Sequence, residues 1–345
     1  MKTTTLAFML LLAFQAQAQK DKEPYSTERF AGSKITSVHS ETSGGHITVI
    51  GEAAANPRVE MFVSGNGRKE ELSRDEIKQR LADYDVSVSV SGGKLTATAK
   101  SKRRESRDWD WQNALNISFR IYVPTAVSTD LSTSGGSIKL SALNGTHEFQ
   151  TSGGNLVIDN LGGKMDGKTS GGNITIKNSK DDIELSTSGG NVDAENCSGR
   201  ITLGTSGGGL HLTQLQGTIH ATTSGGSIHG DHISGDLTTH TSGGSITLKD
   251  LTGGVDASTS GGSMDVVITD VSKGIRLSNS GGNIYLQLPK NKGMDLRLTA
   301  DNIRSETLSN FRGTQDKERI DGALNGGGSQ VRVNASSGSI RLTLQ

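Results

Sequence analysis

The chain is poor in the residues that build disulfide frameworks, aromatic cores and charged binding surfaces. Its 345 residues include one cysteine, four prolines and 4% aromatic residues, and 36 basic residues balance 36 acidic ones. A single cysteine excludes a disulfide framework within the chain. The absence of net charge argues against nucleic acid as a partner, because surfaces that bind nucleic acids are strongly basic.

Apolar runs long enough to cross a membrane are also missing after Ala18. The segment 1–18 contains the basic Lys2, an apolar run over residues 6–14 and the small-residue sequence Ala16-Gln-Ala18. This order of features predicts that residues 1–18 are a cleaved secretory signal peptide. We therefore expect an exported protein, periplasmic, at the cell surface or secreted, whose mature chain has no transmembrane segment.

Glycine is abundant, with 46 residues, and much of it lies in a repeated tetrapeptide. Thr-Ser-Gly-Gly occurs eight times at a constant interval, and Asn279-Ser-Gly-Gly follows as a ninth copy after a slightly longer interval. A fixed short period is typical of stacked supersecondary units. The eight copies begin at Thr133, Thr151, Thr169, Thr187, Thr205, Thr223, Thr241 and Thr259.

Each repeat contains two apolar pairs that alternate with polar residues, as in Ile174 and Ile176 and then Ile183 and Leu185. A period of two is typical of β-strands, and a second turn, usually with glycine, separates the two strands. Two strands and two corners per repeat predict an all-β fold, a parallel β-solenoid of about ten 18-residue coils, each advancing about 4.8 Å. A propeller or a sandwich is the competing interpretation.

The same alternation assigns the polar columns of the repeat. The threonines fall in phase with the inward residues, so we expect them inside, bonded to one another or to corner backbone. The residue after each glycine pair, usually serine or asparagine, is expected to bond to the turns as a polar ladder. Cys197 falls in a column of leucine and isoleucine, which favours a buried small apolar role over a reactive thiol.

After an N-terminal segment at residues 19–33, residues 34–345 are predicted to form a single domain. This domain has three parts. Residues 34–124 are expected to form N-terminal coils with one helix inserted near residues 68–83, where Ser73 and Glu76 form a capping box, and a charged loop at residues 100–112. Regular repeats cover residues 125–286. Residues 287–345 are interpreted as irregular C-terminal coils and a cap, with a long polar loop at residues 305–328.

Three segments make the sequence recognisable: the strand Ile117–Pro124, the Thr-Ser-Gly-Gly-x-Ile repeats, and the late Gly326–Val333 followed by Ser337–Leu342. Together they resemble a family of exported bacterial proteins with β-strand repeats, filed as a domain of unknown function and labelled as adhesins. The similarity covers roughly residues 30–345. It implies a solenoid-like fold and a cell-envelope setting, and it implies no catalytic residues.

Two groups of residues are candidate sites. Asp193, His211 and His229 occupy one outward column on successive coils, so their side chains are expected about 5 Å apart, near enough to share a metal ion. The competing interpretation is that these are three ordinary solvent-exposed residues in a column whose residue type varies from coil to coil. Trp109 and Trp111 lie on the charged loop with Arg103 and Arg104, a combination that suits stacking on a glycan or contact with a protein. The competing interpretation is that they close the end of the solenoid.

Neither catalysis nor ice binding is favoured by the pattern. Acidic pairs such as Asp181 with Asp182 and Asp265 with Asp270 do not recur on adjacent coils, as an active site of a polysaccharide-active β-helix would require. Ice binding needs an outward threonine array, whereas the threonines are expected inside. We therefore expect a non-catalytic binding or scaffold protein of the envelope without a cofactor, its ligand a glycan or a protein. The alternatives are an accessory protein of an envelope-stress or signalling system, and a polysaccharide-active enzyme.

Overall fold

The computed structural model describes residues 23–53, 56–66, 72–102 and 114–345. The predicted signal peptide lies outside the described residues, as does most of the predicted loop at residues 100–112. The described residues form 25 strands and one α-helix. This composition confirms the all-β class with a short helix near the N-terminus.

The N-terminal region combines parallel and antiparallel strands. β2 pairs in parallel with β6 and β8, and β3 pairs in parallel with β7 and β9, so both stacks begin here. β4 and β5 add antiparallel partners to β7 and β6, which the sequence pattern did not predict. The strands are β1 (Ser26–Arg29), β2 (Ser37–Thr42), β3 (Ile47–Glu52), β4 (Arg58–Gly65), β5 (Tyr84–Ser91), β6 (Lys94–Ser101), β7 (Leu115–Pro124), β8 (Ser128–Thr133) and β9 (Ile138–Thr151).

The helix α1 spans Arg74–Leu81, inside the range predicted for it. The Ser73 side chain accepts a hydrogen bond from the backbone N–H of Glu76, and the Glu76 side chain accepts one from the backbone N–H of Ser73. This reciprocal capping box fixes the helix start where the sequence placed it. Ile77 is buried, while Leu72 and Leu81 are partly buried and pack against the core.

The central strands pair in parallel with the equivalent strands of the neighbouring repeats. Ile183 pairs with Ile201, and Ile201 pairs with Ile219, so equivalent residues of successive repeats lie side by side. The result is a solenoid-like stack. Its strands are β10 (Leu156–Thr169), β11 (Ile174–Lys177), β12 (Lys180–Thr187), β13 (Val192–Glu195), β14 (Ser198–Thr205), β15 (Leu210–Thr213), β16 (Gln216–Thr223), β17 (Ile228–Thr241), β18 (Ile246–Thr259), β19 (Met264–Asp270), β20 (Ile275–Asn279) and β21 (Ile284–Leu288).

The threonine corner joins each coil to the one before it. Thr205 Oγ1 donates to the carbonyl oxygen of Gly190 at 2.8 Å and accepts from the N–H of Gly208 at 3.2 Å. Asn279, which replaces threonine in the ninth copy, does the same with its amide: Nδ2 donates to the Gly262 carbonyl, and Oδ1 accepts from Gly281 and Gly282. The predicted inward threonines, bonded to corner backbone, are thus confirmed.

The opposite corner relies on left-handed backbone. Glycines 163, 199, 217, 235 and 253 have positive φ, as the corner prediction requires, whereas Gly145 is not in this conformation. A second left-handed column precedes them and is not glycine: Asn178, Asn196 and His232 have φ of 51°, 53° and 54°. Asparagine tolerates this region better than most residues, so the corner is built from two different kinds of residue.

The C-terminal region closes the stack with a long strand and a hairpin. β22 (Met294–Ser305) and β25 (Ser329–Leu344) pair in parallel, and β23 (Phe311–Gln315) and β24 (Arg319–Leu324) form an antiparallel pair that extends β22. The prediction of a polar loop over residues 305–328 is therefore wrong for half of its length. β23 is largely exposed, so its sequence shows no alternation of apolar and polar residues.

Candidate functional site

The aromatic and basic residues Trp109, Trp111, Arg103 and Arg104 lie outside the described residues, so their predicted role stays a prediction. The described ends of their loop, Lys102 and Ala114, show where it is attached. A cleft of 740 Å³ opens at this place, lined by Ser101 and Ala114 together with residues of two threonine corners, among them Ser43, Gly44, Ser134 and Gly135. The loop therefore starts and ends beside a concave surface at the edge of the stack.

The predicted column of Asp193, His211 and His229 is outward and in register. Asp193 pairs with His211 on neighbouring parallel strands, and His211 pairs with His229. Nδ1 of His211 lies 3.0 Å from Oδ1 of Asp193, and the rings of His211 and His229 stack with centroids 5.3 Å apart. The sequence placed these three residues correctly. Their arrangement is a short ladder of an acid and two stacked imidazoles.

A tighter group, which the sequence did not predict, lies next to this column. Within the described residues, Asp231, His232 and Asp250 form the one group of three acidic or imidazole ligands whose atoms all lie within 4.8 Å of one another. Nδ1 of His232 is 2.9 Å from Oδ2 of Asp231, and Nε2 is 3.7 Å from Oδ2 of Asp250. The hydrogen bond with Asp231 raises the pKa of His232, which favours the protonated ring.

Two features of the chain bring this second group together. Asp231 follows His229 by two positions on the same outward face of β17, and His232 and Asp250 occupy the left-handed corner column on successive coils. The signal was present in the sequence at the spacing of the repeat, but it required knowing that the corner column points outward. All three side chains are exposed or half-buried, so the group is open to solvent.

Cys197 is buried, as its column predicts. Burial raises the pKa of its thiol, so the thiolate needed for nucleophilic or redox chemistry is disfavoured. Its Sγ lies 3.3 Å from the carbonyl oxygen of Glu195. The side chain therefore fills a place between coils.

One carboxylate of each candidate acidic pair, Asp181 and Asp270, is engaged in a structural contact. Oδ2 of Asp181 accepts a hydrogen bond from the backbone N–H of Gly163 at 2.9 Å, across one coil. Oδ1 of Asp270 lies 2.8 Å from Nζ of Lys292. Each carboxylate therefore contributes to the stack or to an ion pair.

The family model Toastrack DUF4097 matches residues 180–343. A putative cell adhesion protein from Clostridium sporogenes ATCC 15579 aligns over 94% of this chain and 100% of its own, with 11% identity and a TM-score of 0.20. A putative adhesin from Parabacteroides merdae ATCC 43184 aligns over 93% of this chain and 97% of its own, with 11% identity and a TM-score of 0.28. These scores are too low to establish a shared fold with either protein.

No curated protein matches the chain. Among the residues that the structure describes, no helix has the length and apolar character needed to span a bilayer. The resemblance inferred from the repeat and from the C-terminal segment is confirmed as a similarity: residues 180–343 match the model of the Toastrack family, a domain of unknown function.

Proposed function

We propose that this protein is a non-catalytic binding or scaffold protein of the bacterial cell envelope, built as a β-solenoid of about ten coils. The observation that carries this proposal is the use of the repeat's polar groups within the structure. Each corner threonine bonds to the coil before it, and each second glycine lies against a backbone carbonyl. What remains free is a stiff outer surface whose residues change from coil to coil.

A stack of this kind is suited to binding. Repeat proteins use an extended, rigid face on which individual positions vary without disturbing the fold. The outward column at Asp193 shows this freedom, because it holds Lys139, Thr175, His211 and Tyr285 on other coils. The predicted export signal at residues 1–18 places such a protein in the periplasm or at the cell surface, where a glycan or an envelope protein is the expected ligand.

The loop with Trp109 and Trp111 is the proposed contact site. Ser101 and Ala114, which lie on either side of the loop in the sequence, both line the 740 Å³ cleft, and this attachment supports the proposal. Tryptophan faces stack on sugar rings or fill pockets of a protein partner, and the neighbouring Arg103 and Arg104 add charged hydrogen-bond donors. A ligand held there would contact the edge of the stack at its threonine corners.

The test is capture of a ligand from the native envelope. Purified mature protein is cross-linked in an envelope fraction of its own host and screened on a glycan array, beside the double variant Trp109→Ala with Trp111→Ala. We expect a saturable ligand that the double variant loses, whereas Arg341→Ala, an exposed change elsewhere, retains it. Equal capture by all three proteins would refute the contact site. Release of soluble sugar from polysaccharide by the pure protein would overturn the non-catalytic function.

The column of Asp193, His211 and His229 supports a second proposal, a surface metal site. The 3.0 Å contact between Asp193 and His211 and the stacked ring of His229 place two ligand types side by side. Zinc binding is measured by calorimetry for the wild type, for His211→Ala with His229→Ala, and for His232→Ala. Loss of zinc binding only in the double variant His211→Ala with His229→Ala supports the column. Loss of zinc binding only in His232→Ala assigns zinc to the neighbouring group. No heat with the wild type refutes both.

A further inference from the structure

One outward column carries acidic residues on four neighbouring strands and arginines on three others. Eleven of its residues lie on successive parallel strands and are direct partners in register. The register continues to His39 beyond the acidic residues and to Asp321 beyond the arginines. All are exposed or half-buried. In order along the stack, this charged column consists of Asp130, Glu148, Asp166, Glu184, Thr202, His220, Thr238, Asp256, Arg276, Arg332 and Arg297.

The first four members form an acidic ladder. Carboxylates on adjacent paired strands are about 4.8 Å apart, a spacing at which like charges repel. Asp130 has His39 at 2.8 Å and Asp166 has Lys168 at 3.0 Å, but Glu148 and Glu184 make no ion pair with any residue that the structure describes. Lys168, whose pKa is raised mainly by its hydrogen bond with Asp166, also lies near enough to Glu148 and Glu184 for their charges to raise it further. The four carboxylates therefore outnumber the cations beside them, and this part of the column carries a net negative charge.

The last three members form a guanidinium ladder. Arg276, Arg332 and Arg297 lie on β20, β25 and β22, which are neighbours in the sheet. Nε of Arg297 is 3.5 Å from Oδ2 of Asp321, and Nη2 of Arg332 donates to Oε1 of Gln330 at 2.6 Å. Arg276 has no ion pair among the described residues. Three stacked guanidinium groups with one acidic partner form a site for carboxylates.

The two ladders lie at corresponding positions on either side of the middle of the column. His220, on β16, is its sixth member, so a twofold axis along that strand reverses the column onto itself. Two copies placed face to face about this axis bring Arg297 opposite Asp130, Arg332 opposite Glu148 and Arg276 opposite Asp166. The axis generates each of the three contacts twice, as an isologous interface requires.

The neighbouring outward column contributes one matched pair, although its Asp236 also pairs with Lys273 of the same chain at 2.6 Å. Arg200 and Asp236 lie on either side of Thr218, the residue of that column on β16, and the three are partners in register. The same axis therefore places Arg200 of one copy opposite Asp236 of the other. One contact of the charged column is unfavourable, because Glu184 meets Asp256. This mismatch makes the register testable.

We propose that this face is the interface of an antiparallel homodimer, in which a second copy of the chain supplies the counter-charges of both ladders. Ten steps of about 4.8 Å give a contact about 48 Å long, and three outward columns give it a width of roughly 14 Å. Such an area, doubled for the two partners, reaches the roughly 1,200 Å² of a specific protein interface. Electrostatic steering fixes the register and makes the association sensitive to salt.

The test is sedimentation velocity of the full mature chain at 50 mM and 500 mM sodium chloride. We expect a dimer at the lower salt concentration and at least tenfold weaker association at the higher one. Arg332→Glu and Glu148→Arg each weaken association at least tenfold, and the double variant restores it, because the swapped charges meet again across the axis. Glu184→Gln strengthens association by removing the mismatch. Arg341→Glu, on the different outward column that also holds His229 and Tyr285, leaves it unchanged.

Each other outcome overturns the proposal. A wild-type monomer at 50 mM salt refutes the dimer, and a double variant as weak as its parents refutes the register. Unchanged thermal unfolding of the four charge variants excludes misfolding as the cause of lost association. Polyphosphate is included as a probe: a monomer whose Arg332→Glu variant loses only polyphosphate binding would assign the guanidinium ladder to an anionic polymer instead of a second copy.

Discussion

The inner and outer columns of the same repeat differ in how far their residues vary. The second glycine of the pair is glycine in all nine copies of the repeated tetrapeptide, while the outward column of the charged face runs from aspartate through histidine to arginine. A Cβ on a second glycine such as Gly190 or Gly208 would lie 2.1 or 2.0 Å from a carbonyl oxygen of the preceding coil. Backbone contact between coils therefore explains why the second glycine is constant. It does not explain the serine and the first glycine of the tetrapeptide, which are equally constant and lie on the outside.

The two glycines of one pair are equally constant but differ in steric demand within a single turn. A Cβ on Gly207 would meet its nearest atom at 3.6 Å, an ordinary contact, and neither Gly207 nor Gly208 has positive φ. The first glycine is therefore free of the steric demand that fixes the second. Each of the following predictions compares an inward residue with an outward one.

The largest effect is expected from Gly208→Ala. Its methyl group would lie 2.0 Å from the carbonyl oxygen of Gly190, so two coils must separate at the corner. We expect a loss of about 3 kcal/mol or more in the free energy of unfolding, at the upper end for overpacking. Gly207→Ala is expected to change it by less than about 1 kcal/mol. Denaturant unfolding of both variants measures the two changes. Equal losses in the free energy of unfolding would contradict the steric argument.

The next effect is expected from Thr205→Val, which keeps the shape of the side chain and removes its hydroxyl. The carbonyl of Gly190 and the N–H of Gly208 would each lose a partner within a buried corner. Buried polar groups left without partners cost about 1–3 kcal/mol, so we expect a loss of about 2 kcal/mol. Thr218→Val, on the exposed face of β16, serves as the control and is expected to be nearly neutral. A neutral Thr205→Val would show that water replaces the hydroxyl.

A third comparison concerns two histidines and pH. His147 is fully buried, its Nδ1 lies 3.1 Å from Oγ1 of Thr129, and burial lowers its pKa to about 4. The unfolded chain binds this proton near pH 6.5 and the folded chain near pH 4, so stability is retained above the first value and lost as pH falls towards the second. We expect a decrease of about 2 kcal/mol between pH 7 and pH 5.

His147→Met tests this assignment, because Met165 already occupies the same place in the next coil. The variant is expected to lose most of the decrease in unfolding free energy between pH 7 and pH 5. His220→Met, on the exposed charged column, should keep the wild-type decrease. If His147→Met kept it as well, the acid sensitivity would belong to other groups.

The sequence predicted the inward part of the molecule well because that part repeats. Alternation assigned the threonines and Cys197 to the interior, and the constant step of the repeat predicted the register of the strands. The start of α1 was predictable because Ser73 and Glu76 form a local signal that needs no tertiary contact. The close approach of the second glycine to the preceding coil was not predictable. A glycine in the sequence does not show whether it is required because a side chain would clash or because the backbone adopts positive φ.

The outward part was harder to predict for a related reason. In the hairpin, β23 is exposed on most of its length and β24 buries only Ile320 and Leu324, so no regular apolar alternation marks it. The group of Asp231, His232 and Asp250 depends on a corner with left-handed backbone conformation. A histidine or an aspartate in the sequence does not by itself predict that conformation. Asp193, His211 and His229 were found because they share one straight column of paired strands. The sequence alone therefore predicts columns better than it predicts corners.

The smallest effect is expected where an outward column is interrupted. The polar ladder after the glycine pairs runs from coil to coil: Oδ1 of Asn173 accepts from the N–H of Asn191, and Oδ1 of Asn191 accepts from the N–H of Gly209. Gly209 has no side chain to accept from Ser227, where the ladder stops. Three earlier coils hold asparagine at this place, and Gly209 does not have positive φ.

Gly209→Asn is therefore expected to raise the free energy of unfolding by no more than about 0.5 kcal/mol, through a restored hydrogen bond and a less flexible unfolded chain. A Cβ at this position would lie 3.1 Å from the carbonyl oxygen of Ser227, and this tight contact offsets part of the gain. Gly209→Ala separates the two contributions, because it restricts the unfolded chain without providing an acceptor. The difference between the two variants in denaturant unfolding measures the hydrogen bond. A gain as large as the loss in Gly208→Ala would remove the distinction between inner and outer columns, since the outer ladder would then stabilise the stack as strongly as the corners do.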